Sequence, residues 1–149
     1  MNHPAELALH QYMDKATKGN TTMSDDTIKR VADDITAALK RQFGGGNKRD
    51  EFTLRMSNVG RPTCQLWYEK NKPELALPFP TTFVMNMMLG DIVEAVFKGI
   101  LKEAGVQYED TDKVTLDLGD DSVSGSYDII INDAVDDIKS ASDWSYRNK

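Results

Sequence analysis

Apolar residues recur every three or four positions over much of the first two thirds of the chain, and this spacing predicts helices. Residues 1 to about 20 form a weak amphipathic segment that ends at Gly19 and Asn20. Ser24 or Asp25 caps a second helix, whose polar face is charged. The apolar stripe of that helix is Ile28, Val31, Ile35, Ala38, Leu39 and Phe43. The glycine run 44–46 ends it and opens a linker.

Two further helices are predicted after the linker. A short extended piece from residue 52 leads into a helix that starts near Pro62, and its Leu66, Trp67 and Tyr68 favour a packing role. The longest helix starts at Thr81 or Thr82 and runs to about Ala104. Its stripe is Met85, Met88, Leu89, Ile92, Val93, Val96, Ile100 and Leu101. Gly90 weakens this helix, which suggests a close backbone approach there.

The last third of the chain changes to the period of two that is typical of strands. Val114 to Leu118 alternates as a half-buried strand. Ser124–Ile131 and Ala134–Ala141 are predicted as two strands of a hairpin, because Asn132 and Asp133 supply turn chemistry between them. From Thr81 onward the predicted order is therefore helix, strand, strand, strand.

Composition narrows the class of protein. The length of 149 residues suits one domain with a real core. The net charge of −6 argues against strong non-specific nucleic-acid binding by the bulk surface, although many of the acids fall between residues 110 and 137. Cys64 is the single cysteine, so it forms no internal disulfide. The sequence has no apolar run of transmembrane length and no signal peptide, which predicts a cytoplasmic protein without membrane contact.

The hairpin is the strongest candidate for chemistry. Pairing its strands brings Asp128 beside Asp137 and Lys139, and two acids so placed repel each other unless a cation lies between them. A hard divalent cation with oxygen ligands resolves that repulsion. The alternative is that these are exposed strand residues with an edge lysine. Glu94 has two interpretations as well: a surface ion pair with Lys98, or a third acid leaning over the sheet.

Four segments in this order resemble the PD-(D/E)xK nuclease superfamily, and within it the RecB-like and phage lambda-type exonucleases. SNVGRPTCQLWYEK is similar to the segment that leads into the family's core. LGDIVEAV is similar to its G-x-x-x-(E/H) helix, with Glu94 at the acid position. VSGSYDIII is similar to its G-x-x-D strand, and VDDIKSAS to its (D/E)-x-K-(S/T) strand. Together these segments cover about half of the chain.

The resemblance implies an α/β fold with a restriction-endonuclease-like core, in which a helix packs on a mixed sheet of three strands. Residues 1–50 are then an N-terminal helical region with its glycine-rich linker, and residues 51–149 are the nuclease core. Family members continue past the D-x-K strand into a helix and a further strand. The core is therefore expected to be C-terminally incomplete, and to be completed by a second polypeptide or by self-association.

The resemblance also implies a reaction, the magnesium- or manganese-dependent hydrolysis of DNA by an exonuclease, which a phage origin would suit. Asp128, Asp137 and the carbonyl of Ile138 would hold the metal, with Glu94 assisting directly or through water. Lys139 would orient or deprotonate the attacking water. The residues expected to contact DNA phosphates are Arg61, Ser140 and Ser142. Some relatives carry an iron–sulfur cluster on four cysteines, and with Cys64 alone we expect none here.

Two other function classes remain open at this point. The chain is alternatively a catalytically incomplete nuclease-like subunit or interaction scaffold. It is alternatively an acidic mimic of DNA that inhibits another protein, since runs of aspartate imitate phosphates. A mimic scatters its acids over a surface, whereas here three acids and one lysine fall at the positions of the resemblance.

Overall fold

The computed structural model describes residues 3–44, 52–119 and 121–139, and this part of the chain has an α/β fold. The described helices are α1 (Pro4–Thr17), α2 (Asp25–Phe43), α3 (Thr63–Asn71) and α4 (Thr81–Glu103). The described strands are β1 (Glu109–Asp117), β2 (Ser122–Ile131) and β3 (Ala134–Asp136). Short 3₁₀ turns lie at Met56–Asn58 and Pro73–Leu75. The four predicted helices are confirmed.

Local chemistry sets the helix ends where the sequence predicted them. The Ser24 hydroxyl accepts a hydrogen bond from the backbone N–H of Thr27 at 3.3 Å, and it caps α2. Helix α4 follows Pro80, which cannot donate a backbone hydrogen bond but fits the first turn of a helix. Gly105 follows α4 with a φ of 76°, a conformation that glycine adopts without steric cost.

The sheet is antiparallel, with the strand order β1-β2-β3. The prediction of a mixed sheet is therefore wrong for these three strands. Parallel pairing is confined, among the described residues, to a single bridge between Arg55 and Ser124. Asn132 and Asp133 have φ values of 51° and 63°, so the two-residue turn predicted between β2 and β3 is confirmed.

The strand boundaries differ from the prediction at both ends of the sheet. Strand β1 begins at Glu109 rather than Val114, because charged residues that break the apolar alternation still pair with β2. Strand β3 ends at Asp136, so Asp137, Ile138 and Lys139 lie beyond it. The rest of the predicted strand, residues 140–141, falls outside the described residues.

A small core joins the C-terminal end of α4 to the second half of β2. Its buried members are Ala5, Leu101, Ile129 and Ile131, and the partly buried hydrophobic residues packed against them are Phe97, Val106, Tyr108 and Ile138. Only the last turns of α4 take part. The upstream residues of its predicted stripe Met85, Leu89, Val93 and Val96 are exposed. Of the predicted stripe only Ile100 and Leu101 are buried, and the other buried residues of α4, Ala95, Lys98 and Gly99, lie off it.

The predicted stripe of α2 is likewise only partly covered, because Ile28, Leu39 and Phe43 are exposed.

Two further predictions of burial are wrong. Val114, Leu116 and Leu118 are each more than half exposed, so the end of β1 is not a half-buried strand. Helix α3 has no buried residue, and Trp67 and Tyr68 are 53% and 55% exposed. The reason is position, since α3 neighbours the turn Pro73–Leu75 rather than the core.

Two glycines of α4 differ in their surroundings. A Cβ added at Gly90 would meet nothing within 4 Å, so the close approach that we expected at Gly90 is wrong. The close approach occurs at Gly99, where an added Cβ would lie 2.6 Å from Cγ2 of Val31 and 3.4 Å from Cγ2 of Thr27. Helix α2 crosses α4 there, and the missing side chain lets the two helices touch.

Alanine at these two glycines is expected to change stability in opposite directions. Gly90→Ala gains helix propensity at no steric cost and should raise the free energy of unfolding by up to about 1 kcal/mol. Gly99→Ala should lower it by about 1–3 kcal/mol, because Val31 is stiff about χ1 and cannot easily move away. Urea titrations of both variants followed by circular dichroism measure the difference. Equal shifts in the same direction would refute this account of the α2–α4 contact.

Among the described residues, no helix is both long enough and apolar enough to cross a membrane.

Candidate functional site

Asp128 lies in the second half of β2, one residue before Ile129 of the core. Its Oδ2 accepts a hydrogen bond of 2.7 Å from the backbone N–H of Ile138. That N–H would otherwise be free to extend the strand ladder, so the carboxylate takes the place of a backbone acceptor. This contact holds the segment after β3 against β2, and it keeps Asp137 and Lys139 near Asp128 although β3 has already ended.

Asp137 and Lys139 form an ion pair next to Asp128. Lys139 Nζ lies 2.8 Å from Asp137 Oδ1, and both side chains are mostly exposed. The hydrogen bond to Lys139 is the main cause that lowers the pKa of Asp137. The same bond raises the pKa of Lys139, and the nearby charges of Asp128 and Glu94 raise it further. The lysine therefore stays protonated in this arrangement.

The pKa of Asp128 is shifted in the opposite direction from that of Asp137. Burial raises the pKa of Asp128, and a hydrogen bond with Asp137 and the charges of Glu94 and Asp137 add to the rise. The backbone hydrogen bond from Ile138 opposes it. Two neighbouring carboxyl groups with pKa values pushed apart are typical of acids that share one proton. The convergence of Asp128, Asp137 and Lys139 that the sequence predicted is thus present.

Glu94 reaches the same site from α4. Its Oε1 lies 2.6 Å from Nζ of Lys98, one turn further along the helix. Lys98 also lies 2.7 Å from Oδ1 of Asp110 on β1. The side chain of Lys98 is only 6% exposed, so the interpretation of Glu94–Lys98 as a surface pair is wrong. Burial alone would lower the pKa of Lys98, but the hydrogen bonds to Asp110 and Glu94 raise it overall.

An open cleft of about 410 Å³ connects Glu94 with Asp128. Helix α2 forms one wall of it, α4 a second and β2 the third. Its lining residues are Asp34, Ala37, Ala38, Arg41, Asp91, Glu94, Ala95, Lys98, Ser126 and Asp128. Arg41 pairs with Asp91 at 2.8 Å and remains 64% exposed, so a cation lies beside the acids of this cleft. Small alanines from both helices leave the space open.

Of the three residues predicted to contact DNA, the structure describes only Arg61. Arg61 pairs with Glu69 of α3 at 3.4 Å and is not among the residues that line the cleft. Ser140 and Ser142 lie outside the described residues. Ile138 is held by its N–H at Asp128 and packs partly against the core, which places its backbone at the site.

Sequence reasoning missed several residues of this site. Asp110 lies before Val114, where the sequence predicts the first strand to begin, whereas β1 begins at Glu109. Asp34 and Arg41 fall on the charged face predicted for the second helix, and no pattern in the sequence indicates a role for Asp91. The spacing of Glu94 and Lys98 on one helical face was a usable sign of their contact. The contact of Lys98 with Asp110 joins residues 12 positions apart through the α4–β1 turn, and periodicity does not indicate it.

Asp128 and Asp137 suit a hard cation in their chemistry. They offer carboxylate oxygens, the donors that magnesium and manganese prefer, and the charge of Asp137 contributes to raising the pKa of Asp128, a repulsion that a cation would relieve. The carboxylate of Glu94 forms an ion pair with Lys98. In the described part of the chain no three acidic, histidine or cysteine side chains are grouped closely enough to hold a metal ion. Among the described residues, the carboxylates of Asp128 and Asp137 are therefore the donors at this site that could hold such a cation.

Comparison with known proteins identifies no significant match. Neither a protein-family model, a curated protein nor a solved structure matches this chain significantly.

Proposed function

We propose that this protein is a metal-dependent deoxyribonuclease of the exonuclease type, with Asp128, Asp137, Lys139 and Glu94 at its catalytic site. One observation supports the proposal most. Asp128 and Asp137 meet beside Lys139 at the β2–β3 hairpin, and Glu94 at the wall of the open cleft is close enough for its charge to raise the pKa of Asp128. This is the set of side chains that the resemblance assigns to phosphodiester hydrolysis.

Each residue has a part that follows from its position. Asp128 and Asp137, with the carbonyl of Ile138, would hold magnesium or manganese. Such a cation polarises a phosphate and lowers the pKa of a water bound to it. Lys139 stays protonated beside Asp137, so it orients the attacking water and offsets negative charge that develops on the phosphate. Glu94 would hold a water close to these ligands.

The acid pattern supports this proposal over a DNA mimic. A mimic needs unopposed negative charge across a surface, as in a phosphate backbone. Here several acids in or near the cleft face cations at close range: Asp91 faces Arg41, Glu94 and Asp110 face Lys98, and Asp137 faces Lys139. Such paired charges are typical of a site that binds and orients a ligand.

The alternative of an incomplete subunit also has an observation in its favour. Large apolar side chains are exposed on α3, on the connector to α4 and on β1, including Trp67, Leu77, Phe79 and Leu116. Exposed apolar surface of this kind favours association. A second copy or a completing polypeptide is accordingly proposed as a partner beside DNA.

Titration with Mn²⁺ in a calorimeter tests the metal site directly. The unaltered protein should bind Mn²⁺, and Asp128→Asn should lose detectable binding. Asparagine keeps an acceptor for the Ile138 N–H, so the variant removes the negative charge with little effect on the hairpin. The matched control is Asp133→Asn in the exposed turn of the same hairpin, where asparagine tolerates a positive φ.

Unchanged Mn²⁺ affinity in Asp128→Asn would refute the metal site. The same samples are then incubated with linear DNA and magnesium, and their oligomeric state is read by light scattering. Binding of Mn²⁺ without DNA cleavage, together with self-association, would favour the subunit over the nuclease.

A further inference from the structure

We propose that Lys98 is a positioning residue, which holds the Glu94 carboxylate at the wall of the cleft and is itself held by Asp110. The inference rests on the proposed function, because it assigns Glu94 a part in retaining the metal and its water. It adds a residue that lies outside the four resembling segments, and it gives β1 and α2 a role at the site.

The first argument is burial. Lys98 is 6% exposed at its side chain, whereas Glu94 is 29% exposed. Buried lysines are rare unless they are paired, since their charge must be compensated after leaving water. Nζ of Lys98 makes two short contacts, at 2.6 Å to Glu94 and 2.7 Å to Asp110. The ammonium group is therefore fixed between an acid of the cleft and an acid of the sheet.

A second argument comes from the residues that hold Asp110 and Lys98 in place. Lys98 contacts Oδ1 of Asp110, and Arg30 of α2 donates to Oδ2 of the same carboxylate. The Arg30 guanidinium lies over the ring of Tyr108, 6.0 Å from its centre. The Tyr108 hydroxyl donates to the backbone carbonyl of Lys98 at 3.2 Å. Contacts from α2, α4 and β1 thus hold one lysine from its backbone to its ammonium group.

An exposed pair on α1 shows the difference from an ordinary helical ion pair. Lys18 and Asp14 have the same spacing and a similar distance of 2.7 Å, but both are about 60% exposed. A pair of that kind moves freely and contributes little. Lys98 has no such freedom. A glutamate has three rotatable side-chain bonds, so a fixed partner substantially reduces the number of positions that Glu94 can take.

The test uses the sign of a change in metal affinity. If Lys98 acted on a bound cation through its charge alone, Lys98→Met would tighten Mn²⁺ binding by removing a repelling charge. If Lys98 positions Glu94, Lys98→Met should weaken Mn²⁺ binding in calorimetry by about 10–100-fold, the usual effect of losing a residue that orients a metal ligand. Lys98→Arg, which keeps the charge and the donors, should recover most of the affinity.

Two controls accompany the titrations. Lys18→Met applies the same substitution to the exposed pair and should leave Mn²⁺ affinity unchanged. Asp110→Asn leaves Lys98 in place but removes its anchor, and it should weaken binding in the same direction as Lys98→Met. If circular dichroism shows that Lys98→Met does not fold, Asp110→Asn is used as the test variant instead.

The outcomes separate this inference from the proposed function. Unchanged or tighter Mn²⁺ binding in Lys98→Met, or unchanged binding in Asp110→Asn where the first variant is unfolded, would overturn the positioning role and leave the metal site standing. A failure of the unaltered protein to bind Mn²⁺ would refute the proposed function, and the inference with it.

Discussion

Replacement of Lys139 by alanine is expected to lower the rate of DNA hydrolysis by about 10²–10⁴-fold, the range found for side chains that move protons or stabilise charge in a transition state. Lys139 is the cation that pairs with Asp137 beside Asp128, and its side chain is 72% exposed. An exposed lysine contributes little to the fold, so the loss should appear in turnover rather than in stability.

Single-turnover cleavage of linear DNA in magnesium gives the rate, and Mn²⁺ calorimetry gives the affinity for metal. Affinity should stay near that of the unaltered protein or rise slightly, because a lysine has donors only and is no metal ligand. Lys15→Ala, an exposed lysine in the last turn of α1, is the matched control and should cleave normally. A Lys139→Ala variant that cuts DNA as fast as the unaltered protein would remove Lys139 from the mechanism.

The second large effect is expected at the core. Leu101→Ala should lower the free energy of unfolding by about 2–5 kcal/mol, because Leu101 is completely buried and its loss leaves a cavity against Ile129 and Ile131. The core under α4 is small, so few neighbours can move in to fill that space. A loss of this size is a large part of the stability of an ordinary domain, about 5–15 kcal/mol.

Leu116→Ala is the matched control for this prediction. The substitution is chemically the same, but Leu116 is 57% exposed, and its effect should stay within about 0.5 kcal/mol. Urea unfolding followed by circular dichroism measures both variants. Equal losses would mean that Leu116 is covered in solution, as it would be in a complex, and that the exposed face of β1 is an interface.

Much of the candidate site was predictable because its parts are local in sequence. The turn at Asn132 and Asp133 fixes the hairpin, and the hairpin brings Asp128 to Asp137 within ten residues of chain. Lys139 follows two residues later. Short-range chemistry of this kind depends on turn residues and strand pairing, both of which have clear sequence patterns.

The surroundings of those residues were not predictable in the same way. The burial of Lys98 depends on where Asp110 and Tyr108 lie after the chain has turned back from α4. The cleft depends on α2 packing beside α4, with Gly99 at the crossing. These contacts join segments that are distant in sequence, and no local pattern specifies them.

By itself, the sequence determined the four helices, the Ser24 cap of α2, the hairpin turn and the grouping of Asp128, Asp137 and Lys139, because each depends on backbone preference and on periodicity over a few residues. Only the tertiary structure decided which apolar residues are covered, that β1 also pairs antiparallel with β2, and that Glu94 is held by a buried Lys98. The physical reason is that burial and charge pairing depend on the distance between chain segments, which periodicity does not contain.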